Sequence, residues 1–181
     1  MSRRIKQIRS IVEMLLEQGN FVKPPIKVHE IALGQKIAIQ EEPLGDVSGV
    51  IFREGNQVII GVNKTHSDER KRFTIAHELG HFFLHSEHPL YVDKIFPVKL
   101  RDHVSSEAID QDEIEANAFA AELLMPSKFL KEDFSKVRSG ILDYGKEDIG
   151  ERISELASKY KVSNHAMTIR LINLGVIQDI L

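Results

Sequence analysis

Between Ser67 and His85 runs the stretch DERKRFTIAHELGHFFLH, and no other segment restricts the possible folds as tightly. Ser67 offers a side-chain oxygen to the free backbone N–H groups of a helix start, and Asp68 and Glu69 suit its positive end. The segment therefore predicts one long helix through about His85. Within it, His77-Glu78-Leu79-Gly80-His81 is an H-E-x-x-H string. Residues four apart share a helix face, so both imidazoles can reach one Zn²⁺ while Glu78 serves as general base toward a water on the metal. A catalytic ion of this kind needs a third protein ligand and one open position.

One large class of such sites takes its third ligand from a histidine ten residues after the first, with glycine at the seventh step. Glu87 and Leu84 occupy those positions, which excludes that class. The alternative is a glutamate from a separate downstream helix, and Glu107, Glu113, Glu115 and Glu122 belong to or border one. His85 continues the spacing from His77 through His81, but eight helical residues rise about 12 Å, too far for all three rings to meet one ion with bonds of about 2 Å. His85 is assigned to the helix end, where free carbonyls favour a cation or a donor. His29, His66, His88, His103 and His165 have no partner at metal spacing and read as surface or capping residues; of these, only His103, in the loop joining the two site helices, is also a candidate for touching substrate.

Composition narrows the function further. The 181 residues carry 24 Lys+Arg against 27 Asp+Glu, a net charge of −3, so the chain is not built to blanket nucleic acid or an anionic membrane. There is no cysteine, which removes disulfides, thiolate zinc sites and cysteine nucleophiles together. The basic N-terminus is not followed by the apolar run of a signal peptide, and no stretch approaches the ~20 apolar residues of a membrane span. A cytoplasmic protein without membrane contact is expected.

Along the chain, Ile5, Ile8, Ile11, Val12, Leu15 and Leu16 predict an amphipathic helix ending near Gly19, with Arg3, Arg4, Lys6 and Arg9 on its solvated face. After Pro24-Pro25 a short helix carries Val28, Ile31 and Leu33. Ile37 and Ile39 alternate as in a strand, and Val50-Ile51-Phe52 and Val58 to Val62 flank a hairpin connection. Residues 86–106 show no clear period and read as a loop. A second long helix starts near Asp110–Asp112 and must stop or kink at Pro126. Further helices are expected over 128–137, 149–160 and 164–174. Phe119, Leu123 and Leu124 read as core, and Ala116, Ala118, Ala120 and Ala121 would let the two site helices approach closely.

RFTIAHELGHFFLH, preceded by VIIGVN and followed by EIEANAFAAELLMP, resembles the ImmA/IrrE family of zinc metallopeptidases. The resemblance covers the chain from about residue 25 to the end. It implies an α+β fold: a gluzincin-like core, made of a small antiparallel sheet, the H-E-x-x-H helix and a second ligand helix, with helix-turn-helix-like helices behind it. Three units follow: an N-terminal helix over 1–24, the metallopeptidase-like domain over 25–140, and a helical subdomain over 141–181. The resemblance also implies a bacterial or phage protein that cleaves or inactivates a helix-turn-helix repressor, relieving repression of mobile-element or stress genes. A short form without the further sensory domain of longer relatives is expected.

Choosing among the downstream glutamates is a matter of helix rotation. Glu113 and Glu115 are about 200° apart around the axis, so only one faces the metal. Glu113 has Asn117 one turn on, where its amide could hydrogen-bond and orient a ligating histidine. Glu115 has Phe119 there instead. The resemblance agrees on Glu113, giving His77, His81 and Glu113 as zinc ligands, Glu78 as catalytic base, and Glu115 as solvated or paired with a surface cation.

The C-terminal stretch ISELASKYKVSNHAMTIRLINLGVI has a helix-turn-helix rhythm, with Lys161 where glycine usually supplies positive φ. Its near-neutral charge favours a structural or protein-recruiting element over direct DNA reading. The expected function is a zinc endopeptidase acting on a repressor protein, whose substrate strand could pair along an edge near Val58–Val62. The alternative is a regulator that binds a repressor or DNA without cutting, its metal structural; the intact Glu78 favours the enzyme.

Overall fold

The computed structural model describes residues 3–85, 90–94, 106–138 and 146–177. Their elements are helix α1 (Arg3–Gln18), α2 (Val28–Gly34), strands β1 (Ile37–Glu42), β2 (Val47–Glu54) and β3 (Gln57–Asn63), α3 (Asp68–Leu84), β4 (Leu90–Lys94), α4 (Ser106–Leu124), α5 (Ser127–Arg138), α6 (Lys146–Tyr160) and α7 (Asn164–Asn173). The α+β architecture expected from the sequence is present: a small sheet, the H-E-x-x-H helix and a second long helix. No helix among the described residues is long and apolar enough to cross a membrane.

The sheet has four strands in the order β1-β3-β2-β4. The hairpin β2–β3 pairs Ile51 with Ile60, and both are fully buried. The sheet differs from the expected antiparallel one in a single pairing, because β1 runs parallel to β3 with Ile37 opposite Val58. That parallel neighbour makes β3 an interior strand. Its main chain is hydrogen-bonded on both sides, so the proposed substrate edge at Val58–Val62 does not exist; the outer strands are β1 and β4. Strand β4 and the first turn of α4 both lie within residues 86–112, where the sequence reading placed a loop and a later helix start. A five-residue strand shows too few alternations to reveal itself by period.

Helix ends follow local chemistry. Ser67 accepts from the Arg70 N–H at the start of α3. Helix α1 closes with Asn20 at φ 52°, its N–H on Glu17 O and that of Phe21 on Leu16 O, the left-handed cap that Asn tolerates without glycine. Lys161 plays the same part after α6 at φ 53°, as the spacing suggested, with Val162 N–H on Ala157 O. Asn63, buried at the end of β3, donates its amide to Gly45 O and Val47 O, which ties down the turn entering β2.

Ile8, Val12, Leu15 and Leu16 of α1, Ile75 and Leu79 of α3, Phe119, Ala120, Leu123 and Leu124 of α4, and Leu156, Met167 and Leu171 of α6 and α7 join one core against the sheet. Ala116 and Ala120 are fully buried, whereas Ala118 and Ala121 are only partly so. Arg4 and Arg9 are not on a solvated face: Arg4 bonds Glu115 and Arg9 bonds Glu122, both on α4. Glu122 also receives Arg170 of α7 and the N–H and hydroxyl of Ser127, so this candidate ligand is a structural acceptor instead.

Candidate metal centre

Helix α3 carries His77, Glu78 and His81 on its buried side, and all three are at most 3% exposed. Helix α4 brings Glu113 opposite them, with one carboxylate oxygen 3.1 Å from His77 Nε2 and the other 3.2 Å from His81 Nε2. The two Nε2 atoms are 3.0 Å apart. Ligands of a tetrahedral ion with bonds of about 2 Å stand about 3.3 Å from one another, so this donor set has the spacing a single divalent ion needs.

Protonation fits as well. Burial lowers the His81 pKa below its ordinary value, Glu113 opposes that, and the nearby histidines reinforce it. For Glu113, burial raises the pKa, but hydrogen bonds from His77 and His81 outweigh it and bring the carboxyl to about 2. A neutral imidazole and an ionised carboxylate are the forms that coordinate metal.

Each histidine is held from behind. Asn117 Oδ1 lies 3.1 Å from His77 Nδ1, the partner that the helix spacing suggested. His81 Nδ1 lies 3.2 Å from His85 Nδ1. The sequence reading put the His85 side chain at the carbonyls of the helix end. Its backbone N–H bonds His81 O there, while its ring turns inward toward Glu115 and Asp112. Of the two states expected for Glu115, solvated or paired with a surface cation, the structure shows the second: it is 9% exposed and bound to Arg4. The i, i+4 step from His81 to His85 carried the usable signal, since it makes the rings neighbours even though it forbids a shared ion. His103 lies outside the described residues.

The sheet closes the other side. Strand β2 passes so near α3 that a Cβ on Gly49 would stand 2.9 Å from Glu78 Oε1 and 2.3 Å from Thr74 Cγ2. Arg53 of β2 donates to His81 O at 3.1 Å, fixing the C-terminal turn of α3.

An H-E-x-x-H helix faced by a glutamate on the next helix, under a small sheet, defines a metallopeptidase. The sequence relatives agree: residues 32–171 match the profile of the peptidase M78 family, described as the IrrE N-terminal-like domain, and the chain belongs to that family. It is 31% identical over 140 residues to the metallopeptidase ImmA of Bacillus subtilis (strain 168), covering 75% of each chain. It is 32% identical over 122 residues to the radiation response metalloprotease IrrE of Deinococcus radiodurans, which is 67% of this chain but only 32% of that protein. The chain is thus a metalloprotease, and its substrate class is protein.

Proposed function

We propose that the chain is a zinc-dependent endopeptidase in which His77, His81 and Glu113 hold the ion and Glu78 is the base. The observation that carries this reading is the convergence of the two Nε2 atoms on the Glu113 carboxylate, with Glu78 buried on the same helix. Zinc, when bound, supplies Lewis-acid polarisation of the scissile carbonyl and activation of a water molecule. Glu78, as the base, would take up a proton from water and hand it to the departing amide nitrogen. Asn117 and His85 keep the two imidazoles turned toward the ion. Burial of the site excludes competing bulk water and strengthens these charges.

The substrate in this reading is a helix-turn-helix repressor, cut in an exposed linker or a locally unfolded segment, because the cleft must receive an extended strand. The edge strand suited to that role is β4, the neighbour of β2, whose Gly49 lies against Glu78. Residues 25–140 form the catalytic unit, and the helices over 141–181 recruit protein and bind duplex DNA only weakly. A nanomolar specific site in a gel-shift titration at physiological salt would overturn that last assignment.

The test is incubation of a repressor encoded beside this chain with the purified protein and zinc, read by mass spectrometry. Discrete fragments are expected, and Glu78→Gln should abolish them while keeping zinc content and melting temperature. Biological activity retained by Glu78→Gln would instead favour a regulator that binds without cutting.

A further inference from the structure

Behind His81 stands a group of side chains that metal ligation and peptide cleavage do not account for. His85 is 8% exposed, and both of its ring nitrogens face partners. Nδ1 lies 3.2 Å from His81 Nδ1, and Nε2 lies 3.1 Å from Glu115 Oε2 and 3.2 Å from Asp112 Oδ1. Glu115 Oε2 also accepts from Arg4 Nε at 2.8 Å and from Arg4 Nη2, and its other oxygen accepts from Gln111 at 2.9 Å.

The hydrogen positions follow by elimination. If His81 presents Nε2 to the ion, its remaining proton sits on Nδ1 and must be donated. The atom it meets is His85 Nδ1, which accepts only when the His85 proton is on Nε2. That proton then points at Glu115 and Asp112, two carboxylates that can only accept. Each group along the line therefore has one compatible role, from the guanidinium through carboxylate and imidazole to the ligand.

His85, Asp112 and Glu115 have the composition of a second cation site. The Arg4 guanidinium already rests on Glu115 Oε2 with two of its nitrogens, so this carboxylate has a cation without a second ion. Arg4 belongs to α1, which lies outside the residues 32–171 matched by the family profile. A feature of this chain's own N-terminal helix thus reaches the metal centre.

We propose that Arg4, Glu115 and His85 form a hydrogen-bonded relay that fixes the His81 ring, so that helix α1 sets how tightly the centre holds its ion. The three are positioning residues. Losing such a partner typically weakens metal binding about 10- to 100-fold. The proposal rests on the metal-centre reading above, and its experiment keeps the two separable.

Zinc affinity of the full chain is measured by competition with a chromophoric chelator, alongside the melting temperature of each metal-free variant. His85→Leu should weaken zinc by about tenfold or more. His85→Gln should restore most of the affinity, because its amide can accept from His81 and donate to Glu115. Arg4→Met should weaken zinc severalfold, and Arg9→Met, which cuts the α1–α4 ion pair to Glu122, should not. A long-range ¹H–¹⁵N spectrum of the zinc-loaded chain should show His81 protonated at Nδ1 and His85 at Nε2.

Wild-type affinity in His85→Leu, equal loss in His85→Gln and His85→Leu, or a His85 ring protonated at Nδ1 would overturn the relay. Unchanged affinity in Arg4→Met would remove α1 from it. A second zinc equivalent lost with Glu115→Gln would replace the relay with a two-ion site. A wild-type chain that takes up no zinc would overturn the metal-centre reading itself.

Discussion

A Cβ added to Gly80 would lie 2.9 Å from Cα of Ala116, against the backbone of the facing helix. Real side-chain carbons do not approach backbone so closely, so the pair Gly80–Ala116 sets the distance between α3 and α4. Glu113 sits on one helix and the two histidines on the other, so the same contact sets the width of the metal centre. Gly80→Ala should push the helices apart, costing about 1–3 kcal/mol of stability by overpacking. Zinc affinity should fall with it, and thermal melts with and without zinc would check both effects. A variant that melts and binds like the wild type would show that the helices adjust freely.

Gly49 is held by a different constraint, since the atoms nearest its missing Cβ are Thr74 Cγ2 and Glu78 Oε1. Gly49→Ala should therefore displace the base more than the ligands. The expected result is a fall in kcat of about a hundredfold, the scale of a 1 Å misplacement, with one zinc per chain retained. Elemental analysis and peptide cleavage would measure the two separately.

Glu113 and Glu115 are expected to part company on substitution. Glu113→Ala should release zinc at neutral pH, because it removes the carboxylate that both Nε2 atoms face. Glu115→Ala should keep stoichiometric zinc with weaker affinity. The opposite pattern in equilibrium dialysis would mean that the helix presents its other face to the ion.

Acid stability should depend on Glu122. Burial raises its pKa, but the Arg170 charge, the Ser127 N–H and the Arg170 hydrogen bond outweigh that, so the folded carboxyl titrates below its ordinary value. The groups facing it are Arg9, Arg170 and Ser127. The native state therefore binds fewer protons than the unfolded chain, whose glutamates titrate near about 4.3. The stabilisation is complete above that value and is lost as pH falls through the folded one. Glu122→Gln should lower Tm at pH 7 yet flatten its decline on acidification, as read by circular dichroism. Parallel Tm curves for the two proteins would contradict this.

Much of the arrangement was legible in sequence because it is carried by short-range geometry. The cap at Ser67, the one-turn step from His77 to His81 and the one-turn step from Glu113 to Asn117 all follow from a helical period. The lysine at positive φ after α6 could be read the same way. What escaped was pairing between distant segments. Arg4 and Glu115 are separated by 111 residues, and a basic helix face looks solvated until its neighbour is known. The parallel pairing of β1 with β3 is equally silent, since alternation marks a strand without naming its partner. Glu115 shows both sides of this: helix rotation turns it away from His77 and His81 and leaves it for a surface cation, but nothing local reveals that the cation is Arg4 of α1 or that His85 lies beside it.

One carboxylate ties its own helix to three others, because Glu122 of α4 meets Arg9 of α1, Ser127 of α5 and Arg170 of α7. Local opening of the first or last of these helices takes one of two cations from a buried carboxylate, so fraying is penalised at both ends. Slow amide exchange in α1 and α7 should then rise and fall together as one cooperative unit, although the two helices stand at opposite ends of the described chain.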